Sequence, residues 1–150
     1  MSRRNAKTKR TLLLAVGSVA ILITTALFVL WYFPGLSFRM VSVADGVNNW
    51  SQRWQTILGF SVTENMVSYP SEDEARHAFE DEIARAETIF EHTKQPAGLP
   101  YVDEQVVGTF ILSTGRRYSI LRLQKKDVYQ TYAPSLRYVL AFDKFRDRNR

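Results

Sequence analysis

Gln105–Ala133 reads QVVGTFILSTGRRYSILRLQKKDVYQTYA, and this stretch decides the fold expected of the chain's second half. Gln105–Ser113 is rich in β-branched and aromatic residues. Thr114-Gly115 is a turn signal, Arg117–Gln124 repeats the strand pattern, Lys125-Lys126-Asp127 turns again, and Val128–Ala133 makes a third strand. Strands joined by turns this short run antiparallel.

Downstream, Pro134 ends the sheet and Ser135 is placed to cap a final helix, with Leu136, Val139, Leu140 and Phe142 turned inward. The alternation of Leu136, Tyr138, Leu140 and Phe142 also fits a fourth strand over 135–145; the Ala133-Pro134-Ser135 sequence favours the helix. Upstream, Asn65–Tyr69 fits a short strand and Pro70-Ser71 opens a helix. Ser71 and Glu74 form a capping box, and Glu72, Asp73 and Glu74 suit the positive end of the helix dipole. Ala75, Ala78, Phe79, Ile83, Ala86, Ile89 and Phe90 recur at helical spacing, which predicts a helix continuing to His92. Pro96, Gly98 and Pro100 mark a loop after it.

The expected fold of residues 61–150 is therefore a small α+β domain. It has an antiparallel meander of three strands, or four if 135–145 is a strand, with one or two helices on one face. The α-β-β-β-α order resembles the double-stranded-RNA-binding fold. The basic first helix that such a role needs is absent, since this one is acidic, and element order alone does not transfer function.

Working back towards the start, Thr11–Phe33 reads TLLLAVGSVAILITTALFVLWYF and contains no charge. At about 1.5 Å per residue, 23 residues reach roughly 34 Å, enough for a hydrocarbon core of about 30 Å. Thirteen are Leu, Ile, Val or Phe, worth about 4–8 kcal/mol of insertion near a helix centre. Trp31 and Tyr32 stand at the far end, where amphipathic rings prefer the headgroup level, and Pro34-Gly35 stops the helix. A cleaved signal peptide would have a shorter apolar run ending in small residues. Ser2-Arg3-Arg4 resembles a twin-arginine export signal but departs from it at Ala6 and Lys7. Gly17, Ala20 and Thr24 line one side of the expected membrane helix and would let another helix approach closely.

The net charge of +5 is accounted for by Arg3, Arg4, Lys7, Lys9 and Arg10; the other 140 residues balance. That distribution argues against a nucleic-acid-binding surface. Under the positive-inside rule it predicts a cytoplasmic tail over 1–10, a membrane helix over 11–33, and an extracytoplasmic remainder, periplasmic in a bacterium. Residues 34–60 read as a juxtamembrane segment. Val47, Trp50, Trp54, Ile57 and Leu58 fall at helical spacing after Asp45 as a cap, which predicts a short helix whose tryptophans lie in the interface or pack into the following domain.

Charge within 61–150 is segregated. Residues 71–104 carry ten acids against Arg76, Arg85 and Lys94; residues 105–150 carry ten cations against Asp127, Asp143 and Asp147. The two poles either neutralise each other internally or face partners, with Arg116, Arg117, Lys125 and Lys126 the candidate partner-facing cations.

Catalytic signals are weak. There is no cysteine, so neither a disulfide nor a thiolate site exists. His77 and His92 would sit roughly 22 Å apart on one long helix, too far to share a metal. Glu74-x-x-His77 is half of a carboxylate-bridged di-iron pattern without its second half. No phosphate loop, nucleophile elbow or dinucleotide fingerprint occurs. The expected protein is a non-catalytic, single-pass accessory subunit without a cofactor. It docks in a larger membrane complex such as those of energy-transducing membranes. Its partners would be the bilayer and other integral membrane subunits, with no nucleic acid and no evident small-molecule substrate. The alternative is a membrane-anchored extracytoplasmic binding or sensing module.

Overall fold

A computed structural model describes residues 2–113 and 115–148, with the side chains of residues 2–14, 36 and 148 outside that description. The chain divides into two units, 1–33 and 34–150.

The first unit is helix α1, Ser2–Tyr32. Within it, Ala15–Tyr32 is long and apolar enough to cross a membrane, and none of that stretch is buried by the rest of the chain. Phe28 stacks on Tyr32 at 6.0 Å between ring centroids and lies 6.2 Å from Trp31, which gathers the aromatic residues at the helix's C-terminal end.

The second unit is built on a seven-stranded antiparallel sheet. Its strands are β1 (Arg39–Asp45), β2 (Asn49–Gln55), β3 (Ser61–Ser68), β4 (Ala86–Lys94), β5 (Glu104–Leu112), β6 (Gly115–Gln124) and β7 (Asp127–Ala133). Helix α2 (Glu72–Ala84) follows β3, and helix α3 (Leu136–Arg148) ends the chain. The spatial order is β1-β2-β3-β7-β6-β5-β4. Two meanders thus meet at the β3–β7 pair, and α2 carries the chain from β3 to the far edge.

The three strands expected from 105–133 are present as β5, β6 and β7, and the stretch after Ser135 is helical, as α3. The sheet is larger than the three or four strands expected, for two reasons. First, residues 34–60 are not a juxtamembrane helix. They form a 3-10 turn (Pro34–Leu36) and then β1 and β2. An i, i+4 pair such as Trp50 and Trp54 lies on one face of a strand as well as of a helix, because four is a multiple of both near-periods. Val47 and Ile57, which completed the helical pattern, are exposed turn residues. Second, the helix expected to reach His92 stops at Ala84, where the Arg85 N–H bonds back to Glu82 O. Ala86, Ile89, Phe90 and His92 belong to β4. Its register shifts twice against β5, at 86/88 and 89/91, so its apolar residues lose strict alternation and imitate helical spacing.

The helices also lie on opposite faces of the sheet, not on one. On β6, Ile120 packs with Val139 and Phe142 of α3, whereas its neighbour Leu121 packs with Ala75 and Phe79 of α2. Neighbouring strand residues point to opposite faces. Val106 and Val107 of β5 are likewise 0% and 6% exposed, so the central strands are apolar on both sides and need a cover on each. Phe38 and Trp54 complete the α3-side core. Gly35 in the 3-10 turn comes so near α3 that a Cβ there would lie 3.4 Å from Ala141 O. At the helix start on the other face, Ser71 Oγ accepts from Glu74 N–H at 3.2 Å, as the capping box predicts.

Candidate ligand-binding face

Helix α2 packs over β6 and β7, at one end of its face. The same face continues across β3 and β2. Register places Arg53 opposite Thr63 and Thr63 opposite Tyr132, so these three form one row across β2, β3 and β7. Ser119 of β6 extends the row, opposite Tyr132. Ser61 and Arg117 stand one step along their strands on the same side. Directly paired residues have Cβ atoms about 4.5–5.5 Å apart, so a row of this kind makes a continuous surface.

Two open grooves flank Tyr132. One, of about 290 Å³, is lined by Arg53, Ser61, Thr63, Arg117, Tyr132 and the Ala133-Pro134 backbone region. The other, of about 430 Å³, includes Asp45, Asn49, Ser51, Asn65 and Tyr132; there Ser51 Oγ–H donates to Asn65 Oδ1 at 2.7 Å. The sequence offers polar residues at alternate positions here (Ser51 and Arg53; Ser61, Thr63 and Asn65), the pattern of a strand with one solvated face.

The opposite face is closed by charge as well as by packing. Arg122, which shares the α3 side with Ile120, is bonded to Asp143 Oδ2 at 2.7 Å and to Gln105 Oε1 at 2.7 Å. Buried Glu64 is ion-paired with Arg146 of α3. On the α2 side, Glu104 joins His92 of β4 and Arg76 of α2, the latter at 3.4 Å. With β4 formed, His92 belongs to a strand-tying carboxylate contact and not to a long helix. His77 is exposed on α2, 4.0 Å from Glu80. Among the described residues no group of three His, Cys, Asp or Glu could hold a metal ion.

The residues singled out from sequence are scattered over the molecule. Gly17, Ala20 and Thr24 are exposed on α1, with Thr24 Oγ1–H donating to Ala20 O at 2.8 Å. Trp31 and Tyr32 are exposed at the end of α1. Trp50 is half-buried against Tyr129, and Trp54 packs on Phe142 and Phe145 inside the domain. The side chains of Arg3, Arg4, Lys7, Lys9 and Arg10 lie outside the described residues, as does Thr114 of the expected turn.

The four candidate cations diverge. Arg116 is ion-paired with Glu87, which bridges the acidic and basic stretches. Arg117 lines the smaller groove. Lys125 holds a left-handed turn (φ 52°) with its N–H on Asp103 Oδ2, and Lys126 O accepts from Tyr69 N–H. Sequence reading missed Arg53, which lies 64 positions before Arg117 and meets it only through the sheet.

The fold is an α+β domain preceded in the sequence by a helix long and apolar enough to span a membrane. The chain matches no known protein-family model and no curated protein.

Proposed function

We propose that this protein is a non-catalytic, membrane-anchored binding module. α1 is the anchor, and the domain at 34–150 presents its uncovered β2–β3–β7 face to a ligand on the extracytoplasmic side. The observation that carries this reading is the open, donor-lined groove at Arg53, Thr63, Tyr132 and Arg117. The cations of residues 1–10 support that side of the membrane.

A second reading, an accessory subunit of a larger membrane complex, is supported by the β1 edge. All seven of its residues are exposed, with Met40, Val41 and Val43 each 44–46% accessible. An open edge strand of this kind can pair with another chain. Gly17, Ala20 and Thr24 would then serve helix packing within the bilayer.

Purification of the full chain in mild detergent, followed by mass spectrometry, separates the two. A binding module is recovered as a folded protein by itself, with its ligand in variable amount. A subunit brings the same membrane proteins in fixed stoichiometry. Fixed-stoichiometry recovery that is lost on Gly17→Leu/Ala20→Leu would overturn the binding-module reading.

A further inference from the structure

Resting on the binding-module reading, we propose that the groove between Arg53 and Arg117 is an oxyanion site, suited to a doubly charged phosphate group on the ligand. Five of the described arginines are held by acids: Arg76 by Glu104, Arg85 by Glu82, Arg116 by Glu87, Arg122 by Asp143 and Arg146 by Glu64. Among the described residues, Arg53 and Arg117 make no ion pair with an acid. Arg117 Nη1–H spends one donor on the Arg116 carbonyl, at 2.9 Å; at the groove Arg53 is exposed and Arg117 half-buried.

The other polar side chains of the lining are hydroxyls, Ser61, Thr63 and Tyr132; Ala133 and Pro134 complete it, and no carboxylate lines it. Each hydroxyl can donate, and each guanidinium presents a planar fork of N–H groups. Two such forks facing hydroxyls complement an anion with several oxygens, and their combined charge of two matches a phosphate dianion better than a carboxylate. The row gives the site a rigid floor. Thr63 and Tyr132 are fixed by backbone pairing on both sides, and Ser119, opposite Tyr132, is fully buried with an Oγ that has no hydrogen-bond partner among the described residues.

The arrangement is unlike a generic basic surface in one respect. Arg116, adjacent to Arg117, points to the other side of β6 and is neutralised by Glu87. Arg117 lines the same groove as Arg53 and makes no ion pair among the described residues.

The test titrates full-length protein in detergent with inorganic phosphate at constant ionic strength, read by isothermal calorimetry and by the thermal midpoint. Acetate and chloride serve as parallel arms. The expected result is saturable phosphate binding, weaker for acetate and absent for chloride. Arg53→Gln and Arg117→Gln should each weaken it about tenfold or more, as expected for a lost charged hydrogen bond. Arg85→Gln, at the exposed C-terminal cap of α2, should leave it unchanged. Both variants should melt as the parent does without phosphate, so a loss of binding is not a loss of fold. Equal phosphate affinity in the Arg53→Gln/Arg117→Gln double variant overturns the proposal, as does no saturable binding to the parent. Preference for acetate over phosphate overturns the phosphate assignment. Detergent co-purification of the same variants keeps the two levels apart: a ligand retained by both parent and double variant would leave the binding module standing and remove the oxyanion site.

Discussion

Glu64 and Arg146 show how single residues are constrained here. The Glu64 side chain is 5% exposed, and its charge is answered by Arg146 from α3. Removing one partner of such a pair leaves a buried charge, at about 3–5 kcal/mol. Arg146→Met is therefore expected to destabilise the domain by about that much, and Arg146→Met/Glu64→Leu to recover most of it, as measured by chemical denaturation. Equal loss in both variants would show that packing, not charge, is at stake. The phenols titrate in a direction that also affects stability. Burial pushes the Tyr138 hydroxyl above its ordinary value of 10.0; burial and then Glu82 push Tyr69 up likewise. A pKa raised in the folded state means that the unfolded chain ionises first. The contribution is complete below about pH 10 and is lost as pH rises through the folded value. Tyr138→Phe should flatten the fall of the thermal midpoint between neutral and strongly alkaline pH; an unchanged slope would contradict this. None of these partnerships was legible in the sequence, because Glu64 and Arg146 are 82 positions apart and look like ordinary surface charges.

At the level of elements, the readable parts were those with local signals. The β5–β6–β7 meander has turn residues between strongly patterned strands, α2 has a capping box, and α3 follows a Pro-Ser boundary. β4 had no such signal. It is a bulged edge strand with Ile89 and Phe90 44% and 51% exposed, so neither alternation nor burial marks it. Gly108 is what lets β4 lie close: a Cβ there would come within 2.5 Å of Thr88 O, a backbone atom that cannot rotate away. Gly108→Ala should force β4 outward, at about 1–3 kcal/mol, the usual range for overpacking. Hydrogen exchange should then rise across residues 86–94 before it rises in β6. Unaltered exchange there would mean that β4 adapts without cost.

At the scale of the whole molecule, the sheet decides where independent parts begin. A fragment starting at residue 61 loses β1 and β2 and, with them, Phe38 and Trp54 from the α3-side core. It also turns β3 into an open edge. Residues 34–150 are expected to fold as a soluble, cooperatively melting domain, and residues 61–150 to aggregate or remain unfolded; circular dichroism and gel filtration decide between them. A well-folded 61–150 would show that the first meander is an accessory to the core. What the sequence determined by itself was local: an uncharged apolar run over 11–33, the cations before it, the caps, the turns and the central strands, each written in adjacent residues. Only the tertiary structure decided that residues 39–55 are strands, that the helices cover opposite faces, and that Arg53 and Arg117 meet at one groove. Those facts depend on pairings between residues far apart in the chain, where period and composition carry no information about which strand lies beside which.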